Sequence, residues 1–245
     1  MRLKVICCEV LTREMKAAAG RSPNHIDLAF LPMSLHDGDR AAQRSAIQQA
    51  IDGAGASQFD SVVLGYGLCG NSIAGLRAGE MPLVVPRAHD CITLFFGNAA
   101  ACQDFYDAHR GAVYRTGGWL EHRPPAGADT TATRLGFDRR YEEYAARYGE
   151  ENARQIMDLL GPAAQRCSGL VYIETGAEPD GRFEKMAADE AASHRWPFQK
   201  IRGDMGLLQR LVDGPWSDSE FLVVQPGHQV SSAYDDRIIT ASPAG

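Results

Sequence analysis

The chain has 245 residues, 44% of them hydrophobic and 23% charged, a balance that excludes a chiefly disordered protein and leaves room for one large domain or two small ones. Its 25 basic residues are outnumbered by 31 acidic ones, for a net charge of −6, so it lacks the basic excess that a phosphate backbone requires, and nucleic acid is not an expected partner. No run reaches the ~18 consecutive apolar residues of a membrane span, and Arg13, Glu14 and Lys16 stand where a signal peptide would stay apolar, so a cytoplasmic protein without a membrane partner is expected.

Short β-branched runs alternate with longer helical patterns. Residues 3–7 (LKVIC) read as a strand and 9–19 as a helix; residues 25–31 (HIDLAFL) read as a second strand, followed by a helix over 39–52 with Ala42, Ile47, Ala50 and Ile51 at helical spacing. Residues 61–64 (SVVL) and 82–85 (PLVV) are too short and too apolar to be half-exposed, as strands of a doubly covered parallel sheet are. A helix near 99–110 and a short strand at 112–114 precede a Gly-, Pro- and Thr-rich stretch, 117–136, which reads as a long loop. A helix over 139–160, stopped by Gly161-Pro162, comes next. The rhythm resumes with a strand at 169–173, a helix at 182–194, a weak strand at 198–201, a helix at 204–212 and a strand at 221–224, and the last twenty or so residues read as frayed.

This order predicts an α/β three-layer sandwich with a mostly parallel open sheet, arranged as two Rossmann-like lobes. Residues 1–116 form the expected N-terminal lobe, 117–137 a loop or lid, and 138–245 the long helix and C-terminal lobe. The loop and long helix break the period that a closed eight-fold barrel needs.

Six cysteines are too few for a disulfide scaffold. In an open parallel sheet the ligand site lies beyond the carboxyl ends of the strands, and three cysteines fall there: Cys8 closes the first strand, Cys69 follows the third, and Cys91 follows the fourth. Three thiolates suit a zinc with one open position, and equally a [4Fe-4S] cluster with one free iron. His89, two residues before Cys91, adds an imidazole to the candidate metal ligands. Arg87 and helix N-termini are expected to lower the thiol pKa values. The bland alternative is that the three are small hydrophobes at strand ends. Cys7 faces away from Cys8 under strand alternation and belongs to the core; Cys102 and Cys167 read as structural.

Gly65, Gly67, Gly70 and Asn71 punctuate the stretch holding Cys69. They read as a turn that presents Cys69 and Tyr66, and, with Arg87, as candidate cofactor-binding positions should the turn approach an anion. Tyr66 and Glu174, the latter directly after the sixth strand, are the candidate catalytic acid–base groups. Asp204 reads as the N-cap of its helix or a second acid. Tyr141, Tyr144, Tyr148 and Asn152 lie along one helical stripe, which with Trp119 could roof a pocket or simply pack. His228 reads as a solvated histidine.

The segments CEVL (8–11), LGYGLCGN (64–71), PRAHDC (86–91), YGEENA (148–153) and FLVV (221–224) together resemble an uncharacterised family, domain of unknown function 1638. Genes of that family are often found beside corrinoid-dependent methyltransferase systems, so the resemblance implies one-carbon chemistry with a small-molecule substrate and a corrinoid protein as partner. His89-x-Cys91 is similar to the His-x-Cys element of zinc methyltransferases, which are larger barrels with a distant second cysteine. The expected function is therefore a metal-dependent protein of one-carbon transfer, an enzyme of methyltransferase type or an accessory factor. Its alternative is a non-catalytic binding module for a small ligand or a corrinoid protein.

Overall fold

In the computed structural model of the protein, residues 1–37, 39–123, 141–156 and 168–245 are described. The chain runs β1 (Arg2–Cys8), a 3-10 turn (Glu9–Leu11), α1 (Thr12–Ala19), β2 (His25–Leu31), α2 (Ser34–Asp37), α3 (Arg40–Asp52), β3 (Ser61–Gly65), β4 (Leu83–Pro86) and a second 3-10 turn (Thr93–Phe95). It continues through α4 (Ala99–Ala108), β5 (Ala112–Thr116), α5 (Gly117–His122), α6 (Tyr141–Tyr148), β6 (Gly169–Glu174), α7 (Arg182–His194), β7 (Phe198–Arg202) and α8 (Gly206–Asp213), and ends with β8 (Phe221–Val224), β9 (His228–Ser232) and β10 (Ile239–Pro243). Two sheets organise it. The first has the order β2-β1-β3-β4-β8, parallel except for β8, which pairs antiparallel with β4. The second, β5-β6-β7, is wholly parallel. This is the mixed α/β, mostly parallel architecture that the strand–helix rhythm predicts.

Strand alternation sorts the core into layers. Leu3, Val5 and Cys7 of β1, with Val63, Val84 and Phe221, face a core shared with α1, α8 and the Val171 and Ile173 side of the second sheet. Ile6, Val62, Leu64, Leu83 and Val85 face the other way, onto Ile47 and Ile51 of α3 and onto Val230, Ile238 and Ile239. In the second sheet Leu170 and Tyr172 turn outward onto Phe183, Ala187 and Ala191 of α7. Helix spacing matches these surfaces: Leu207, Leu208, Leu211 and Val212 bury one side of α8, and Phe183, Ala187 and Ala191 recur every fourth residue in α7.

Four sequence expectations are corrected. The final residues are not frayed, because β9 and β10 pair as an antiparallel ribbon. Val230, Ile238 and Ile239 are buried, and three such side chains at about 2 kcal/mol each hold the ribbon on the sheet. Gly117–His122 is a helix rather than the start of a loop, with the Thr116 hydroxyl accepting the Trp119 N–H at its N-cap. Most of the remaining expected loop lies outside the described residues. The helix expected over 139–160 is interrupted: Gly149 has φ +81, a left-handed conformation that ends α6, and residues 150–156 form a separate helical stretch. Finally, the two sheets do not divide the chain at residue 117. β5 belongs to the second sheet, and β8 returns to the first after α8, because the apolar 221–224 run can be buried beside β4.

Candidate functional site

The chain leaves β1 toward β2 on one side and later fills β3 on the other. The gap between the carboxyl ends of β1 and β3 is thus the point where the winding reverses, the place where open α/β sheets bind ligands. Cys8 ends β1; the loop carrying Tyr66 and Cys69 follows β3; the segment with His89, Asp90 and Cys91 follows β4. These last two segments are fastened together by their main chains. The Leu68 N–H donates to the Ala88 carbonyl and the Cys69 N–H to the His89 carbonyl, each at 2.8 Å. A side chain at Gly67 would put its Cβ 2.5 Å from the Asp90 carbonyl carbon, so only glycine allows this approach.

Backbone strain marks the same loop. Cys69, Gly70 and Asn71 have φ values of 46, 66 and 71, three left-handed residues in a row, and for an ordinary side chain such as Cys69 this costs about 1–2 kcal/mol. Strain of this kind persists where surrounding structure over-determines it, and it clusters at functional sites. The Leu68 and Cys69 amides of this loop are spent on Ala88 and His89. Gly65 lies against the Cys7 sulfur.

The three thiols sense one another. Burial pushes the Cys8 thiol up to about 11, the charge of Glu9 adds to this, and the N–H groups of Val10 and Glu9 oppose it. Burial likewise pushes Cys69 up to about 12, reinforced by Asp90 and Cys8 and opposed by the N–H groups of Cys91 and Gly67. Cys91 is held well above the ordinary thiol value by burial, then by Cys69, Asp90 and Cys8, with its own N–H opposing. The Cys91 amide thus faces both its own sulfur and that of Cys69. Tyr66 is buried and its hydroxyl is raised by desolvation and by Cys8, Cys7, Cys69 and Glu9. The charges that raise these thiols are those of Glu9 on Cys8, and of Asp90 and the neighbouring thiols on Cys69 and Cys91.

The expectation that Arg87 lowers these pKa values is therefore corrected. Its guanidinium turns to the C-terminal segment, where Nε donates to the Asp218 carbonyl at 2.6 Å, Nη1 to the carbonyls of Arg237 and Ile239, and Nη2 to the Asp218 carboxylate at 2.8 Å. With these acceptors it fastens the β9–β10 ribbon and faces away from the thiols. His89 is exposed and lines a cavity of about 690 Å³ with Asn98, Gln103, Ser219 and Asp236, a size typical of small-ligand pockets. Glu174 lies on the second sheet, 2.9 Å from Lys200, which also pairs with Glu184 at 2.7 Å; nothing brings it to the cysteines. Asp204 accepts the Gly206 N–H at 2.7 Å from one residue before the N-cap of α8, which is Met205 and makes no side-chain cap bond, so the N-cap expected at Asp204 is displaced by one residue.

Other positions fall into place around this site. Cys7 is in the core, and Cys102 is buried in α4; Cys167 lies outside the described residues. Tyr144 is buried and stacks with the exposed Tyr148 at 6.4 Å, Asn152 donates to the Tyr148 carbonyl at 2.9 Å, and Arg115 lies 3.6 Å over the Trp119 ring, so these are packing contacts. His228 opens β9.

Two acids that the sequence reading passed over belong to the site. Asp90 accepts the Thr93 N–H at 3.1 Å and the Tyr106 hydroxyl at 3.1 Å, which fixes its charge beside Cys69 and Cys91. The Glu9 Oε1 accepts the Met33 N–H at 2.6 Å, while its Oε2 lies 3.6 Å from His122 Nδ1 across the lobes. Their adjacency to Cys91 and Cys8 at strand ends was the available signal. As placed, no group of three or more His, Cys, Asp or Glu among the described residues is arranged to hold a metal ion, and among the described residues no helix is long and apolar enough to cross a membrane.

Fold and site together define an α/β protein of one mostly parallel and one wholly parallel sheet, with Cys8, Cys69 and Cys91 at or just beyond the carboxyl ends of neighbouring strands of the larger one. A family model described as Protein of unknown function (DUF1638) matches residues 30–212, and the chain belongs to that family. No curated protein and no solved structure matches it significantly. The matched span includes Cys69, His89 and Cys91 and begins after Cys8.

Proposed function

We propose that Cys8, Cys69 and Cys91 hold a metal centre and that the cavity lined by His89 admits its small-molecule substrate. The observation that carries this reading is electrostatic. Three soft donors at or just beyond adjacent strand ends stand beside Glu9 and Asp90, whose charges raise the thiols and would favour a bound cation. Such a cluster is stable with its thiols protonated, or with a cation in place of the protons. Zinc is the first choice for a thiolate donor set with an open position, and a [4Fe-4S] cluster is the alternative. When bound, zinc would polarise or hold a substrate group, whereas a cluster would serve redox or dehydration chemistry. The chain's own residues then have distinct tasks. Cys69 is held in its strained position by the main-chain pairing to residues 88–89, Tyr66 shields the thiols from water, and His89 contacts whatever occupies the cavity. We attach one-carbon transfer, with a corrinoid protein as partner, as the reaction class that the family resemblance implies.

Anaerobic purification followed by metal analysis and a visible spectrum tests the reading. Zinc near one per chain without colour supports the first form, and broad absorption near the violet supports the second. A chain that binds neither metal, even when supplied with zinc or reconstituted with iron and sulfide, is instead the non-catalytic binding module. The raised thiol pKa values favour that second reading, since protonated buried thiols also serve as plain packing groups.

A further inference from the structure

Glu14 lies on α1 with no solvent exposure at all, at the place where the first sheet's helices meet the second sheet. Its Oε1 is 2.9 Å from the Thr175 hydroxyl, just beyond β6, and that hydroxyl is 3.1 Å from Oε1 of Glu178. A hydroxyl has one proton and cannot donate to two carboxylates. Glu178 is the fixed acceptor, because the N–H groups of Thr175 and Gly176 donate to it at 3.0 and 2.8 Å. Thr175 therefore donates to Glu178 and accepts on its other side, where the Ala177 N–H already approaches at 3.3 Å. For Glu14 to complete this set it must itself donate, which means carrying a proton. Its Oε2 has no hydrogen-bond partner, so an ionised Glu14 would leave charge buried with little beyond its own N–H to answer it.

We propose that Glu14 is a protonation latch between the two sheets: its neutral carboxyl closes the α1 contact with the turn after β6, and loss of the proton loosens it. The surroundings supply little counter-charge. Arg13 is engaged with Glu121 of α5 at 2.5 Å, His122 of α5 faces Glu9, and Lys16 lies 5.9 Å over the Phe30 ring of β2. α8 presents the neutral Gln209, whose Nε2 donates to the Ala18 carbonyl at 3.2 Å and to Asp213, and α7 contributes Phe183, with Arg13 over its ring. The backbone fit is tight, since a Cβ on Gly118 of α5 would strike the Val10 carbonyl, so a small displacement here breaks several contacts together. Burial, reinforced by the charge of Glu178, outweighs the carboxyl's own N–H, the Thr175 bond and Arg13 and raises Glu14 from 4.5 to about 7.

The sign follows from linkage. A carboxyl that ionises at about 7 when closed and near 4.5 when open favours closure fully below the open value and loses that contribution as pH rises through the closed one. The opening constant should therefore climb about tenfold per pH unit between these values, roughly 300-fold in all, and level off above.

Hydrogen–deuterium exchange of the full chain from pH 5 to 8.5, corrected for intrinsic exchange, reads this in residues 9–19, 117–122 and 175–178. Closure that weakens from pH 5 to 7 and then stays constant in the wild type, and is flat in Glu14→Gln, is the expected result. A pH-independent wild type, or a Glu14→Gln protein with the wild-type profile, overturns it. Should Glu14→Gln fail to fold by circular dichroism, Glu178→Gln decides: removing the neighbouring charge must shift the plateau to lower pH, and an unshifted plateau defeats the latch. These outcomes are independent of metal loading, so they stand or fall apart from the thiol site.

Discussion

Both parallel sheets end in acidic or nucleophilic residues at their carboxyl edges, yet the two edges differ in what answers those groups. At the second sheet every such group has a partner close by: Glu174 has Lys200, and Glu178 has two main-chain amides and the Thr175 hydroxyl. At the first sheet Cys8 lies beside Glu9, and Cys69 and Cys91 beside Asp90, and these carboxylates raise the thiols. Position after a strand is thus necessary for a site in this fold, and it is not sufficient. The distinguishing property is that the first edge is strained at Cys69 and its carboxylates raise neighbouring thiols, whereas Glu174 at the second edge is paired with Lys200.

Removing a thiol should separate the edges most sharply. Cys69→Ser or Cys91→Ser is expected to abolish stoichiometric metal, measured by elemental analysis of the purified chain, while Glu174→Gln leaves it at the wild-type value. Equal metal content in all three variants would remove the contrast.

A smaller effect is expected from protons. Because Glu14 is raised from 4.5 to about 7 in the folded chain, its contribution to stability is present below about 4.5 and lost as pH rises through about 7. Denaturant titrations should show a decline of about 2.5 kcal/mol from this group between pH 5 and 8, missing in Glu14→Gln. A variant that declines as the wild type does would show that other groups set the profile.

Gly67→Ala tests whether the strained edge depends on close main-chain approach. The added methyl meets the Asp90 backbone at 2.5 to 2.7 Å, and overpacking of this kind costs about 1–3 kcal/mol, seen as a lower denaturant midpoint with an unchanged slope. Metal content by elemental analysis should fall as well, since Asp90 adjoins Cys91; loss of stability with unaltered metal content would place the loop outside the site. Least affected should be the neutralised edge. The Glu174–Lys200 pair is substantially exposed, so Glu174→Gln should change stability by less than about 1 kcal/mol, and a larger loss in the same titration would mean that Glu174 has a role beyond its ion pair.

How far these features were legible in the sequence depends on the distance over which their causes act. Local pattern was enough for β1, β2, α3, α7 and the apolar runs of β3 and β4, because side-chain period and an N-cap such as Asp39 act within a few residues. It also carried the placement of Cys8, Cys69 and Cys91 at strand ends, and the opposite orientation of Cys7, which follows from alternation alone. Pairing was beyond its reach. The return of β8 to β4 and the seating of Val230, Ile238 and Ile239 depend on surfaces more than a hundred residues away, so a polar, proline-bearing tail looked frayed. Arg87 shows the same limit: its charge was readable, but only the folded chain turns it toward Asp218, Arg237 and Ile239 and away from the thiols. The proton on Glu14 is the most tertiary feature of all. In the sequence it is one acid in an amphipathic stretch, and only the meeting of α1 with Thr175 and Glu178 strips it of water and counter-charge.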